Sequence, residues 1–240
     1  MREAIRQSGA DLVLLQEILG HHPKKELVEQ DAMGEAETSS QLEYLADTIW
    51  THYAYGKNAV YTSNNHGNAL LSRYPIIRWD NIDLSTNRYE RRGLLHAEVG
   101  LPDWKSRFHV LCVHLDLTEK GRKKQMRQIS RRIKQEISSD EPLILAGDFN
   151  DWLKNMGEEM EAELGLKEAH RVCHGDYAKT FPSWWPLLSL DRIYVRGFEV
   201  MAAEVVSESG WKDLSDHRPL CAELVLSTVG SAGSKPAARP

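Results

Sequence analysis

The sequence predicts an α/β protein whose mixed sheets are covered by helices. Short apolar runs typical of buried strands alternate with longer segments in which apolar residues recur at helical spacing. Several neighbouring strand-like runs also follow one another with no helix between them, which favours mixed sheets over a purely parallel sheet. Because no linker-like stretch interrupts this pattern before the tail, we expect a single domain over residues 1–226.

The N-terminal elements are predicted from local signals. Residues 2–8 have helical character and end at Gly9, and the apolar run 11–18, DLVLLQEI, is typical of a buried strand. A carboxylate at the exit of that strand, Glu17, is costly to desolvate unless a metal or a basic partner compensates it. The alternative is that Glu17 simply reaches solvent.

The next segments combine a loop, a helix and further strands. Residues 19–40 are predicted as a long polar loop, and the pair His21 and His22 within it is more typical of a solvated loop than of a metal site. Residues 41–50 predict an amphipathic helix. The following segments are an aromatic-rich run at 53–61, a turn at 63–68, a strand at 69–72 that ends in a turn at 73–75, an alternating strand at 94–99 and a strand at 108–115.

Residues 119–138 predict the longest helix. Met126, Ile129 and Ile133 lie at helical spacing and mark an apolar stripe, whereas the other face carries a run of Lys and Arg from Lys120 to Lys134. Such a run is more typical of a solvated helix surface than of a contact with a phosphate backbone, and both interpretations stay open.

The C-terminal half repeats the same alternation. Residues 180–188, TFPSWWPLL, place Trp184 and Trp185 just before a strand. The predicted elements are a strand at 143–146, a helix at 155–164 followed by a loop region, a strand at 190–195, its hairpin partner at 198–206 and a last strand at 219–226.

Polar groups suited to catalysis collect at the ends of these strands. In LILAGDFNDW, Gly147 lets the backbone turn so that Asp148 and Asn150 emerge together past a buried strand. This motif alone equally fits a turn in which Asp148 caps a helix. Several acids and two histidines at strand ends are harder to explain by structure alone, so we predict an active site there. The other members of this set are Glu17, His114, Asp191, Asp216 and His217.

The motifs LQE, GNALLSRYPI, CVHLDL, AGDFND, LDRIYV and LSDHRPL follow one another between Leu15 and Leu220. Together they resemble the endonuclease/exonuclease/phosphatase superfamily, which includes DNase I and apurinic/apyrimidinic endonucleases of the exonuclease III type. The combination of GDFN, SDH and an early QE carries the resemblance, and the stretches YGKNAVY, RRGLLH and TFPSWWPLLSLDRIYVRG resemble one bacterial subfamily. The resemblance implies a four-layer α/β/β/α sandwich with two packed mixed sheets, and a metal-dependent phosphoester hydrolase.

The resemblance also implies a role for each residue of the set. Glu17 would match the metal-binding glutamate, and Asp216 another acid near the metal. The other matches are Asp148 for orienting or deprotonating the attacking water, Asn150 for holding a phosphoryl oxygen, His217 for contacting the phosphate, Asp191 for fixing the ring of His217, and His114 for a place near the leaving group.

The chemistry of the donors agrees with these roles. A phosphodiester is already anionic, so attack by water requires positive charge at the non-bridging oxygens and a base for the water. Mg²⁺ takes oxygen ligands and keeps several waters, which suits one or two carboxylates and an amide, and Mn²⁺ accepts the same ligands. We therefore expect Mg²⁺ as the cofactor, with Mn²⁺ as an alternative.

One departure from the family concerns the N-terminus. Family members begin with a strand bearing an Asn that helps to bind the metal or order the site, and that strand would lie upstream of Met1. We therefore expect the fold to lack this strand, and we expect less activity than in an N-terminally extended version. Equal turnover by the two versions would contradict this.

Composition bounds the setting of the protein. A net charge of −5 and a pI near 6.1 argue against a surface built wholly for nucleic acid, although a local basic patch stays open. The chain has no apolar run long enough to span a membrane and no signal-peptide core, so we expect a cytoplasmic protein. Cys112, Cys173 and Cys221 lack metal-ligand spacing and are expected to have no catalytic role. The tail, 227–240, is expected to be disordered.

Two classes of function remain open from the sequence. The first is a divalent-metal-dependent phosphoester hydrolase, expected to be a phosphodiesterase or endonuclease acting on DNA, with a phosphatase or phosphodiesterase acting on a lipid headgroup or a small molecule as the alternative. Trp152, Trp184 and Trp185 near the expected site mouth suit stacking on bases, contact with a lipid headgroup region or the packing of a loop. The second class is a non-catalytic binding module that keeps the fold. For either class we expect a monomer without a stable protein partner.

Overall fold

The computed structural model describes residues 2–20, 45, 50–60, 65–87, 90–102, 106–207, 211 and 214–227. Its helices are α1 (Arg2–Gln7), α2 (Glu119–Glu136), α3 (Gly157–Leu164) and α4 (Ala169–His174). Its strands are β1 (Leu12–Gly20), β2 (His52–Val60), β3 (Asn65–Ser72), β4 (Ile76–Asp83), β5 (Gly93–Gly100), β6 (Arg107–His114), β7 (Leu143–Asp148), β8 (Lys167–Glu168), β9 (Asp191–Arg196), β10 (Phe198–Val205) and β11 (Leu220–Leu226).

The described strands form a central sheet and a second strand layer. The central sheet has six strands in the order β4-β5-β6-β7-β9-β8, in which β6 and β7 are parallel and the other pairs are antiparallel. The second layer consists of two antiparallel pieces, β1-β3-β2 and β10-β11. The α/β class with a mixed sheet is therefore confirmed.

Alternation along the strands divides the core between the layers. Leu111 and Leu145 of the central sheet pack with Ile129 of α2 on one face. On the opposite face, Val110 and Ile144 pack with side chains of both pieces of the second layer. The far side of the second layer packs against α1. This order of helices, sheet, sheet and helix is the four-layer sandwich that the resemblance implied.

The predicted hairpin between 190–195 and 198–206 is wrong. β9 pairs with β7 and β8 in the central sheet, whereas β10 pairs with β11 in the second layer. Gly197 alone links them, with a φ of 74° that favours glycine, and it redirects the chain from one layer to the other. Adjacent strand-like runs look like a hairpin in sequence because the sheet to which each belongs is not a local property.

Other local predictions also need correction. β4 was missed because its residues are mostly exposed at the edge of the sheet, so it lacks an apolar run. The turn predicted at 63–68 overlaps the start of β3, and the loop region after α3 contains β8 and α4. The alternating run at 94–99 lies in β5, where all eight residues are buried, because this strand is covered on both faces.

The remaining helix and strand predictions agree within a few residues at their ends. The loop at 19–40 with His21 and His22, most of the helix at 41–50, and the tail beyond Ser227 lie outside the described residues. Within the described part of the chain, no helix is both long and apolar enough to span a bilayer. The three cysteines are free thiols.

Candidate active site

Strand register brings three of the candidate residues into one row. His114 at the end of β6 pairs with Asp148 at the end of β7, and Asp148 pairs in turn with Asp191 at the start of β9. Residues that pair across neighbouring strands place their side chains within about 5 Å of one another on the same face. The edge of the central sheet therefore presents one histidine and two carboxylates side by side.

Asp148 is the central member of this row. The residue is 6% exposed, and its Oδ1 accepts a hydrogen bond of 2.8 Å from the backbone N–H of Asn150. Burial, and then the charge of Asp191, raise the pKa of Asp148 to about 7, although the charge of His217 opposes this. At neutral pH this carboxyl group therefore exchanges between its acid and base forms.

The backbone around Asp148 is shaped to present it. Gly147 has a φ of 138°, and a side chain there would lie 2.0 Å from the carbonyl oxygen of Val113. Asn150 adopts a positive φ of 50°, and its Nδ2 donates a hydrogen bond of 2.9 Å to the carbonyl oxygen of Leu115. This bond holds the Asn150 amide at the end of β7, so the predicted pairing of an Asp and an Asn at one strand exit is observed.

His217 and Asp191 form the tightest contact of the site. His217 Nδ1 lies 2.8 Å from Asp191 Oδ2, and the ring of Phe181 packs against the imidazole with the two ring centres 5.0 Å apart. Burial by itself would lower the pKa of His217, but the hydrogen bond to Asp191 and the charges of Asp191 and Asp148 raise it to about 9. His217 is consequently an imidazolium at neutral pH.

His114 lies between the carboxylates of Asp148 and Glu17. Its Nε2 is 3.4 Å from Asp148 Oδ2, and its Nδ1 is 3.7 Å from Glu17 Oε1. Burial, followed by the charges of Arg92 and His217, lowers the pKa of His114 to about 3. The ring is therefore neutral at physiological pH, and these are polar contacts of a neutral imidazole rather than ion pairs.

Glu17 lies within β1, at an irregularity in the register between Leu15 and Ile18, and the strand continues past it to Gly20. It has a φ of 57°, and its side chain is 65% exposed. The argument that this carboxylate is desolvated at the strand exit is therefore wrong, because the irregularity turns it outward into solvent. This exposure does not conflict with its predicted role at a metal, because Mg²⁺ sites commonly use exposed carboxylates together with bound waters.

The two predicted metal ligands are the carboxylates of Glu17 and Asp216. Asp216 is exposed, and its carbonyl oxygen accepts a 2.7 Å hydrogen bond from the backbone N–H of Ser183. No group of three or more His, Cys, Asp or Glu side chains among the described residues has the geometry of a metal cage. The exposed carboxylates of Glu17 and Asp216 are instead the donor type of an open Mg²⁺ site, which keeps most of its waters.

Arg92 is a site residue that the sequence analysis did not single out. Its side chain is 13% exposed, it pairs with Glu90 Oε1 at 2.5 Å, and its Nη1 lies 3.3 Å from His114 Nδ1. Its Nε is buried without a hydrogen-bond partner among the described residues. The sequence signal for Arg92 was its position in RRG, directly before the buried residues of β5. An arginine that immediately precedes a fully buried strand lies close to the protein core.

The basic side chains of α2 are divided between contacts within the chain and solvent, to which Lys120, Lys124, Arg127 and Arg131 are exposed. Arg122 is buried, donates to the carbonyl oxygen of Leu117 and stacks over the ring of Trp152 at 4.7 Å. Lys134 and Arg132 form ion pairs with acids of other elements. These contacts favour the solvated-surface interpretation of the helix. Trp152 packs on Arg122, which agrees with the loop-packing alternative for this tryptophan.

The fold and this edge of the central sheet together define a DNase I-like α/β sandwich with a histidine and carboxylate site. The chain belongs to the Endonuclease/Exonuclease/phosphatase family, whose family model matches residues 1–217. Members of this family are hydrolases that act on phosphoester bonds.

Individual relatives agree with this membership. The uncharacterized protein YbhP of Escherichia coli strain K12 is 41% identical over 226 residues, which cover 94% of this chain and 87% of that protein. The structure of an endonuclease/exonuclease/phosphatase from Beutenbergia cavernae has a TM-score of 0.71 at 21% identity over 94% of this chain, and this chain spans 65% of that one. The mannosyl-6-phosphatase of Bacteroides thetaiotaomicron has a TM-score of 0.66 at 17% identity, with 94% of this chain and 89% of that chain covered.

Proposed function

We propose that this protein is a divalent-metal-dependent phosphodiesterase in which Asp148 takes a proton from the attacking water. The observation that carries the proposal is the row of His114, Asp148 and Asp191, with His217 bound to Asp191. An acid with a pKa of about 7 stands beside an imidazole with a pKa of about 9. Titratable groups that their surroundings shift in this way are typical of acid–base sites.

Asp148 is suited to the role of the base. A general base works best when its pKa lies near the working pH, because it is then both ionised and basic enough to take a proton. Burial gives Asp148 this property, whereas an exposed aspartate would be a much weaker base. The neutral imidazole of His114 lies with its Nε2 3.4 Å from Asp148 Oδ2. It is therefore a second polar group next to the proton that Asp148 would take from the water.

His217 and Arg92 supply fixed positive charge to the phosphoryl group. Asp191 holds the His217 ring and keeps it protonated, so that the imidazolium can donate to a phosphoryl oxygen. Arg92, whose Nη1 lies 3.3 Å from His114 Nδ1, adds a second positive charge close to the row. Charges that are in place before the reaction need no reorganisation as negative charge develops.

The metal belongs to the same proposal. Glu17 and Asp216 would hold Mg²⁺, or Mn²⁺ in its place, in an open site. When bound, the ion would supply positive charge that offsets the negative charge developing on the phosphoryl group. The name of the mannosyl-6-phosphatase supports phosphoester chemistry on this fold.

The test is hydrolysis of a generic aryl phosphodiester with Mg²⁺, with Mn²⁺ and with chelator. Asp148→Asn should lower kcat by about 10³-fold, because it removes the base. The unfolding midpoint should not fall, because the variant also removes a carboxylate whose burial is unfavourable. Asp140→Asn, which changes an exposed acid before β7, is the control and should keep wild-type turnover.

Metal-dependent turnover in the wild type and the control, lost in Asp148→Asn, would establish the hydrolase. Turnover that survives in Asp148→Asn would exclude Asp148 as the base. A folded wild-type protein that binds the metal without turning over any phosphoester would instead support the non-catalytic binding module.

A further inference from the structure

The loop at residues 181–188, called here the tryptophan loop, carries a cluster of exposed apolar side chains. Trp184 is 71% exposed, Trp185 62%, Leu187 58% and Leu188 39%. No charged residue occurs from Thr180 to Leu190, although 27% of the whole chain is charged. Contiguous exposed apolar side chains of this kind mark an interaction surface rather than ordinary surface exposure.

The tryptophan loop is held in a defined shape. The backbone N–H groups of Leu187 and Leu188 both donate to the carbonyl oxygen of Phe181 at 2.8 Å, and Trp185 donates to the carbonyl oxygen of Pro182. Arg218 Nε donates a 2.6 Å hydrogen bond to the carbonyl oxygen of Ser183. Because the loop is already ordered, its exposed rings can enter a partner with little further loss of conformational entropy.

The same loop forms one wall of the candidate active site. Phe181 packs on His217, and Ser183 is bonded to the backbone of Asp216. A groove of about 530 Å³ separates the loop from residues 214–216, with Phe181 and Trp184 on one side and Asp216 on the other. Whatever docks on the tryptophan loop therefore lies directly beside the groups proposed to act on phosphate.

We propose that the tryptophan loop docks the protein on a lipid bilayer surface. Trp is the side chain that partitions into the interface between headgroups and acyl chains, and neighbouring leucines add apolar area below it. A single-stranded nucleic acid is the other partner that stacks on Trp, but its binding needs cations along the backbone. The loop itself contains none, and the neighbouring Arg218 is already bonded to the carbonyl oxygen of Ser183, whereas the described lining of the groove contributes the carboxylate of Asp216.

The docking geometry also narrows the substrate class. A bilayer at the tryptophan loop presents phosphoester headgroups at the level of the groove, within reach of His217 and Asp216. The substrate is accordingly a lipid phosphoester whose apolar part stays on the side of Trp184. This second step rests on the proposed hydrolase function, whereas docking does not require turnover.

Co-sedimentation with sucrose-loaded phosphatidylcholine vesicles, in the presence of chelator, tests docking without any catalysis. The double variant Trp184→Ser with Trp185→Ser should partition at least tenfold less than wild type. Trp79→Ala is the matched control, because Trp79 is 48% exposed on β4, outside the loop, and it should stay within twofold of wild type. Quenching of tryptophan fluorescence by brominated lipid should likewise be lost in the double variant only.

Three results would overturn docking by the loop: no partition of the wild type, equal partition of wild type and double variant, or binding to anionic vesicles alone that high salt abolishes. The last would point to the basic residues of α2 instead. For the substrate, the ratio of the rate on vesicle phospholipid to the rate on a soluble aryl phosphodiester should fall at least fivefold in the double variant. An unchanged ratio would refute the lipid substrate even if docking and hydrolysis both hold.

Discussion

Individual residues at the site adopt backbone conformations that side chains ordinarily avoid. Glu17 and Asn150 have positive φ values, and Gly147 between the apolar part of β7 and Asp148 has a φ of 138°. Such conformations cost on the order of 1–3 kcal/mol each for residues with a side chain, and they persist where the surrounding structure enforces them. Gly147 and Asn150 flank Asp148 at the end of β7, and Glu17 lies at the irregularity within β1, so this cost is tied to the placement of the candidate site groups.

Gly147→Ala should destabilise the protein by about 2–4 kcal/mol. The new Cβ would lie 2.0 Å from the carbonyl oxygen of Val113, and the positive φ disfavours any side chain. Because β6 and β7 would have to separate where they carry His114 and Asp148, kcat should fall as well. Urea unfolding and turnover of the aryl phosphodiester measure the two effects.

The control for that change is Gly175→Ala. Gly175 also has a positive φ, of 79°, but a Cβ there would meet no atom within 4 Å. Its cost should therefore be only the conformational part, about 1 kcal/mol, with turnover retained. If the two alanine variants were equally stable, close approach of β6 and β7 would not be the reason for glycine at position 147.

At the scale of elements, the start of α2 is joined to the end of β6. Thr118 is the N-cap of α2, and its Oγ1 accepts a hydrogen bond from the N–H of Gly121 at 3.1 Å. The Thr118 backbone and hydroxyl also donate to Asp116 Oδ1, while Thr86 donates to Asp116 Oδ2. Asp116 is thus a structural acid that connects β6, α2 and the segment after β4, two residues after His114 of the candidate site.

Thr118→Ala should lower the free energy of unfolding by about 1–2 kcal/mol, because the N–H of Gly121 loses its acceptor and Asp116 loses a donor. Thr118→Ser keeps the hydroxyl and should restore most of that loss. Chemical denaturation of the two variants beside wild type measures this. A serine variant as unstable as the alanine variant would mean that the methyl group, rather than the cap, stabilises this junction.

At the scale of the whole molecule, two further histidines, His96 and His109, are buried at the end of the central sheet that lies away from the candidate site. Arg132 Nε donates to His96 Nδ1 at 3.3 Å, so His96 Nε2–H donates to His109 Nδ1 at 3.0 Å. His109 Nε2 lies 3.6 Å from Glu141 Oε2. Burial, and then the charge of His109, lowers the pKa of His96 to about 4, and burial also lowers that of His109.

This pair should make the protein less stable in mild acid. The unfolded chain binds a proton at His96 near pH 6.5, whereas the folded chain does so only near pH 4, so protons favour unfolding between these values. The contribution is complete above pH 6.5 and falls by about 2 kcal/mol at pH 5, since each unit corresponds to about 1.36 kcal/mol. Urea unfolding of wild type and His96→Gln at about pH 8, well above the unfolded-state pKa, and at pH 5 measures this change.

The difference in unfolding free energy between wild type and His96→Gln should move against wild type by that amount as the pH falls to 5. Titrating groups that do not contact His96 cancel in the difference, because both proteins carry them in the same surroundings, whereas His109 is hydrogen-bonded to His96 and contributes to the change together with it. A difference that does not change with pH would mean that His96 is protonated equally in the folded and unfolded states.

By itself, the sequence determined the α/β class, the identity of most long elements and the set of candidate site residues. Apolar runs, helical spacing and a polar residue at a strand exit are local patterns, and local patterns survive in a linear chain. The motif around Asp148 and Asn150 is the best instance, because both residues belong to one strand end and its following turn.

Only the tertiary structure decided which elements meet. The separation of β9 and β10 into different layers, the burial of both faces of β5, the outward turn of Glu17 and the approach of Arg92 to His114 all depend on partners distant in sequence. Strand register and layer order are set by packing across the whole sheet, and a periodic pattern records which side of an element is apolar, not which element covers it.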